Sequence, residues 1–180
     1  MGARGAALVL FMAAASPVTH EQRQGDLFHL QSDFTAAVPA PVVWDVLTDY
    51  AHLGRFVPSI AKSVVRTRSG SLTVVEQELT GRVWLFSRTL HVLLRIQAEP
   101  HRELRFADVS HRDFAAYSGA WTLTPGDAGT LVRYRLDAKV ASGVPVSLLG
   151  QPLEASVDEM MKQLQAEMER RSPPAPGSPR

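Results

Sequence analysis

The 180-residue chain contains no cysteine. That excludes disulfides, thiol nucleophiles, cysteine-based metal centres and a lipoprotein-type anchor. Charge of one sign is also lacking: 19 Lys and Arg against 18 Asp and Glu leave a formal charge of +1. Neither nucleic acid nor an acidic surface is implied as a partner. There is no Gly-x-Ser-x-Gly elbow and no phosphate-cradling glycine loop. Recognised metal-ligand spacing is missing too. Asp45, Asp49 and His52 lie close together, but two carboxylates and a histidine near a helix end read as a solvated face, and His29, His91, His101 and His111 are dispersed. No metal and no cofactor is expected.

What is present is one apolar run, Ala6–Ala15, behind Arg4 and ending in Ala13-Ala14-Ala15. It has the length and cleavage pattern of a signal peptide and is too short to span a bilayer. Residues 1–15 are therefore expected to be removed on export to the periplasm or the outside. The alternative is an unprocessed Ala-rich tail or a misassigned start. No stable membrane span is expected, which leaves transient membrane contact open.

The rest suits one domain with a sizeable core. Residues 16–26 are polar and read as a lead-in. From Phe28 to Val38, Phe28, Leu30, Phe34, Ala36 and Val38 alternate with polar residues, the pattern of a strand with one buried face. Pro39 and Pro41 end it, and Pro41 suits the first turn of a helix. Val43, Trp44, Leu47, Tyr50 and Ala51 then recur at spacings of three and four, predicting an amphipathic helix of about three turns. Gly54 is its expected C-terminal cap and Pro58 its stop.

The stretch Val38-Pro-Ala-Pro-Val-Val-Trp-Asp-Val-Leu-Thr-Asp-Tyr50, with Phe56-Val57-Pro58-Ser59-Ile60, resembles the opening of START-like domains, above all the polyketide cyclase/dehydrase and coenzyme Q-binding group. The resemblance covers Leu27 to about Arg171. It implies an α+β helix-grip fold: a curved antiparallel sheet of about seven strands wrapped around a long C-terminal helix, with a hydrophobic cavity between them.

The periodicity after the motif agrees. Strands are predicted over Ile60–Arg68, Leu72–Leu85, Phe86–Gln97, Glu103–Val109, Phe114–Thr124 and Thr130–Val140, with turns at Ser69–Ser71, Glu99–Arg102, His111–Asp113 and Pro125–Gly129. Gly81 is expected to mark a bulge or sharp bend. Glu76, Glu78, Arg82, Arg133 and Arg135 face outward as a solvated, ion-paired surface. From about Leu148 to Arg171, Leu149, Leu153, Val157, Met160, Met161, Leu164 and Met168 form a helical apolar stripe, and Pro152 either sits in its first turn or kinks it. Such a helix extends about 36 Å. Residues 172–180, with four prolines, read as a disordered tail.

Alternation places Leu79, Leu90, Phe106, Tyr117, Trp121 and Tyr134 on the inner sheet face, and the helix adds Met160, Met161 and Leu164. Taken singly, each is a core residue by its residue type; the resemblance implies that they line a ligand cavity, for which adaptable Met suits irregular shapes. Arg88 shares the parity of Phe86, Leu90 and Val92. It either holds a polar group of a ligand or snorkels to water. Tyr117 either donates into the cavity or is satisfied by the protein. The loop around Phe56 and the His111–Asp113 hairpin are candidate gates.

Three functions remain. The first is a monomeric, non-enzymatic carrier of a hydrophobic small molecule (a lipid, isoprenoid quinone or polyketide-like compound), with Arg88 and Tyr117 as polar anchors and no catalytic residue. The second is a cyclase/aromatase- or dehydratase-type enzyme using the same cavity. The third is a protein-interaction or assembly factor.

Overall fold

The computed structural model describes residues 17–83, 86–141 and 150–172, and side chains within these except at 81–88, 150 and 151. The proposed signal peptide and the Pro-rich tail from 173 onward lie outside the described residues, as does Leu149.

Eight strands form one antiparallel sheet: β1 (Val18–Gln24), β2 (Leu27–Ala36), β3 (Ile60–Ser69), β4 (Leu72–Val83), β5 (Phe86–Glu99), β6 (Glu103–Asp108), β7 (Phe114–Gly126) and β8 (Gly129–Val140), in the order β1-β2-β8-β7-β6-β5-β4-β3. Helix α1 (Ala40–Thr48) and a 3-10 helix (Tyr50–Arg55) connect β2 to β3, and α2 (Gly150–Arg170) follows the sheet. Pro152 falls in the first turn of α2, where its missing N–H costs no helical bond.

The lead-in is corrected. Val18–Gln24 is an edge strand paired with β2 from Val18↔Asp33 to Gln24↔Leu27. It is polar because only Thr19 is buried; an edge strand can be stabilised by its ladder without an apolar face, so alternation is silent about it. The sheet therefore has eight strands rather than seven.

The first helix is also shorter than its periodicity predicts. Asp49 leaves helical geometry at φ −77°, ψ 52° and caps α1 through its N–H to Val46 O. Tyr50 and Ala51 belong to the separate 3-10 helix. Gly54 is inside that second piece and is not a cap. Its place is set by close approach, since a Cβ there would lie 2.5 Å from the carbonyl oxygen of Ile60. Gly81 marks no bulge: the β4–β5 ladder runs without a break from Leu72↔Gln97 to Val83↔Phe86. The irregularities are in β3, at Ile60/Lys62 and Val65/Thr67, and in β7, at Phe114/Ala116.

The core lies between α2 and the inner sheet face. Phe28, Leu30, Phe34, Val75, Val92, Val132 and Leu136 from the sheet are buried with Val157, Met161, Leu164 and Met168 from α2. Helix α2 packs mainly on β1, β2, β4 and α1, and Gln165 donates to the carbonyl of Thr35 on β2 at 3.3 Å. The outer face carries ion pairs, Lys62–Glu78 (3.1 Å), Arg66–Glu76 and Arg133–Asp33 (3.1 Å). Exposed pairs of this kind contribute about 0–1 kcal/mol each.

Candidate functional site

Where α2 leaves the inner faces of β5, β6 and β7 uncovered, a cavity of about 90 Å³ remains. Leu94 and Ile96 of β5, Leu104 and Phe106 of β6, Tyr117 and Trp121 of β7, and Tyr134 of β8 form its floor. Met160 and Leu164 of α2 form one side. Leu47, Tyr50, Leu53, Val57 and Ile60 close the opposite side, with Gln77 of β4 between.

The floor is an aromatic cluster made possible by one glycine. Phe106 pairs with Gly119 across the β6–β7 ladder. A Cβ on Gly119 would lie 2.6 Å from Phe106 Cζ, so only glycine lets that ring lie flat on β7. Phe106 then stacks on Tyr134 (centroids 6.1 Å, 15° between planes) and tilts against Tyr117 (5.9 Å). Trp121 tilts over Tyr134 at 4.3 Å, and Phe114 meets Tyr117 at 4.6 Å.

The polar groups facing this space are few. The hydroxyls of Tyr117 and Tyr134 share a hydrogen bond. Burial pushes the Tyr117 phenol up to about 12, against the lowering effect of that bond. Burial raises Tyr134 further, helped by Tyr117. Tyr50 is pushed up to about 12 by burial, opposed by the charge of Arg68. All three therefore stay neutral near pH 7 and act as hydrogen-bonding groups. Gln77, buried, donates to Ser63 Oγ at 3.2 Å and keeps its amide oxygen for another donor.

Six of the ten expected site residues come together here: Phe106, Tyr117, Trp121, Tyr134, Met160 and Leu164. Leu79 and Leu90 do not. They pair with each other towards the tip of the β4–β5 hairpin and are half-buried, outside the cavity's lining. Met161 does not either. It is fully buried in the α2–sheet core, because a step of one residue turns a helical side chain by about 100°. The backbone of Arg88 pairs with Gly81, and its side chain lies outside the described residues. The alternation of β4 already pointed Gln77 inward with Val75, although its polar type drew attention away. Of the wall residues, Leu53 carried no signal of its own, whereas Tyr50 and Val57 belong to the opening motif without any mark of a cavity wall.

The two expected gates differ. The His111–Asp113 connection is pinned: Asp108 accepts from the backbone N–H of Leu93 (2.8 Å), Ser110 (3.0 Å) and His111 (3.1 Å), and Asp113 accepts from His91 N–H at 2.8 Å. The loop at Phe56 borders the cavity through Leu53 and Val57. Asp49 and His52 are engaged with each other at 2.7 Å, and Asp49 also binds Arg171. No cluster of metal-ligating side chains is found among the described residues. No helix among them is long and apolar enough to cross a membrane.

Residues 36–168 match the family profile described as polyketide cyclase/dehydrase and lipid transport. No curated protein matches the chain. Among solved structures, the ZhuI aromatase/cyclase from Streptomyces sp. R1128 superimposes with a TM-score of 0.72 at 20% identity, over 84% of this chain and 99% of that one. A STAR-related lipid transfer protein from Xanthomonas axonopodis gives 0.72 at 15% identity, over 87% and 97%. Human STARD10 gives 0.70 at 13% identity, over 87% and 71%. At these identities the likeness shows the fold, the helix-grip arrangement of an open sheet and a C-terminal helix. The profile match spans most of the sequence, and the chain belongs to the polyketide cyclase/dehydrase and lipid transport family.

Proposed function

We propose that the protein binds and carries one hydrophobic small molecule (a lipid, isoprenoid quinone or polyketide-like compound) in the cavity between α2 and the sheet. The observation that carries this reading is the lining itself. Among the described residues it is apolar and aromatic, with hydrogen-bonding capacity confined to Gln77, the tyrosines and the indole N–H of Trp121. Ligand sites combine an apolar surround with a few placed polar groups in this way. The named lipid-transfer and aromatase/cyclase neighbours support a hydrophobic cargo.

Binding is favoured over catalysis by the same lining. Among the described cavity residues there is no carboxylate, imidazole or ammonium group to act as acid or base, and burial raises the tyrosine phenols away from neutral pH, which makes them poor proton donors. At about 90 Å³ the cavity is well below the roughly 300–1,000 Å³ of drug-sized ligand sites. A lipid-sized guest must therefore displace part of the wall.

The test is native mass spectrometry of the protein purified from its own host, followed by solvent extraction of any bound compound. A stoichiometric hydrophobic compound is expected. A protein that is empty, and stays empty when offered fatty acid or quinone, would overturn the reading. We further infer a periplasmic or secreted location from the apolar run Ala6–Ala15. The same spectrum checks it, because an exported chain is expected to lack about its first fifteen residues.

A further inference from the structure

We propose that Arg171 controls how far the cavity opens and so determines which ligands are admitted. This deepens the ligand-binding reading and rests on it.

Most of the cavity's boundary is stiff. Its floor is a hydrogen-bonded ladder from β4 to β8. Helix α2 is seated by the buried Val157, Met161, Leu164 and Met168. The remaining wall is different. Tyr50, Leu53 and Val57 sit on a 3-10 helix and a turn whose own hydrogen bonds are short-range: His52 N–H to Asp49 O (2.9 Å), Phe56 N–H to Leu53 O (3.2 Å), Val57 N–H to Leu53 O (2.8 Å) and Ile60 N–H to Val57 O (2.9 Å), the segment joining the sheet only after them, where Ser59 O accepts from Thr80 N–H (2.8 Å). A segment with few such bonds opens at lower free energy than a ladder does.

The polar contacts that tie this wall to the end of α2 converge on one side chain. Arg171, just past α2, donates from Nη2 to Asp49 Oδ2 at 2.8 Å and from Nε to Glu167 Oε1 at 2.6 Å. Its guanidinium also lies over the ring of Phe56, 5.4 Å from the centroid. One planar cation thus holds the start of the wall (Asp49), its far end (Phe56) and the helix (Glu167). Arginine suits this because its rigid fork bonds carboxylates while its face stacks on an aromatic ring. Its side chain is 27% exposed and that of Glu167 7%, so the clasp is shielded from water more than an ordinary surface pair. With the clasp closed the cavity is too small for a lipid. With it open, Tyr50, Leu53 and Val57 are free to move away from Met160 and Leu164.

The experiment compares wild type with Arg171→Met, which keeps an apolar stem and removes the cation. Asp49→Asn serves as a second variant that leaves Arg171 in place. Arg170→Met is the control, since among the described residues Arg170 bonds Glu167 and does not reach the wall. Hydrogen exchange by mass spectrometry is followed over 49–60, and uptake of the dye ANS and of its larger dimer bis-ANS by fluorescence. In Arg171→Met and Asp49→Asn, the amides of Phe56, Val57 and Ile60 are expected to exchange about tenfold faster. Both variants are expected to take up bis-ANS at least fivefold faster than wild type, with Arg170→Met unchanged. Unaltered exchange over 49–60 in both variants would overturn the proposal, as would measurable dye uptake at one and the same rate in all four proteins. Faster exchange with neither dye bound by any of them would leave the clasp standing and sink the ligand-binding reading instead.

Discussion

Phe106 faces Gly119 across the β6–β7 ladder, and its ring fills the volume in which any side chain at 119 would begin. Gly119→Ala therefore presses a methyl group on Phe106 and, closer still, on the backbone oxygen of Arg135. A ring can swing aside, but a strand carbonyl held in the β7–β8 ladder cannot. The variant is expected to lose about 1–3 kcal/mol, as overpacked cores do. It is also expected to disturb the stack of Phe106 on Tyr134. Urea unfolding and near-ultraviolet circular dichroism check both; an alanine variant with wild-type stability would show that the sheet yields here.

Met160 and Met161 are neighbours in sequence and opposites in role. Met161 is fully buried in the core, whereas Met160 lines the cavity. Met161→Ala is expected to cost about 2–5 kcal/mol, the range for emptying a packed site. Met160→Ala removes contacts on one side only. It is expected to cost less than half as much and to raise the affinity for ANS. Paired urea titrations and dye binding measure the difference, and equal stability losses would mean that both side chains are packed alike.

The tyrosines make stability sensitive to alkali. Tyr50 and Tyr117 are both raised from an ordinary 10 to about 12, by burial in each case. For a group whose folded value lies above its unfolded value, the stabilisation is whole below the unfolded value and fades as pH rises towards the folded one. Stability should thus hold up to about pH 10 and fall between pH 10 and 12. Absorbance at 295 nm should show no tyrosine ionising near pH 10 before unfolding begins. A phenol titrating at 10 in the folded protein would contradict the burial of these rings.

The clasp makes stability sensitive to acid. Asp49 is lowered: burial works to raise it, and the hydrogen bonds from Arg171 and His52 outweigh that. Glu167 is lowered first by its bond from Arg170, then by Arg171, against its burial. Their ordinary values are 3.8 and 4.5. Depressed carboxylates stabilise the fold fully above those values and lose that contribution as pH falls below them through the folded ones. Protection of the amides over 49–60, taken relative to the intrinsic exchange rate at each pH, should therefore fall below about pH 4 in wild type. The part due to Asp49 should be missing in Asp49→Asn, and a variant with the same acid response as wild type would remove Asp49 from the clasp.

Much of this was legible in order along the chain, for a physical reason. A strand with one dry face must alternate, so β2, β8 and the inner residues Tyr117, Trp121 and Tyr134 could be read directly from period two. The stripe of α2 was readable from its spacing. Strand β1 was not, because an edge strand with one buried residue, Thr19, leaves no apolar pattern. Gln77 was half legible: its parity with Val75 pointed inward, and only its chemistry argued against notice.

The amino-acid order by itself determined most of the elements, their inward faces and the family, because these depend on local periodicity and a contiguous motif. Tertiary structure alone decided which inward residues meet a cavity and which meet a neighbour. That depends on where α2 stops covering β5–β7, a matter of how whole elements seat against each other. It also decided the clasp. Asp49 and Arg171 are 122 positions apart, and nothing in either neighbourhood names the other. Their pairing exists only because α1 ends, and α2 ends, at the same corner of the sheet.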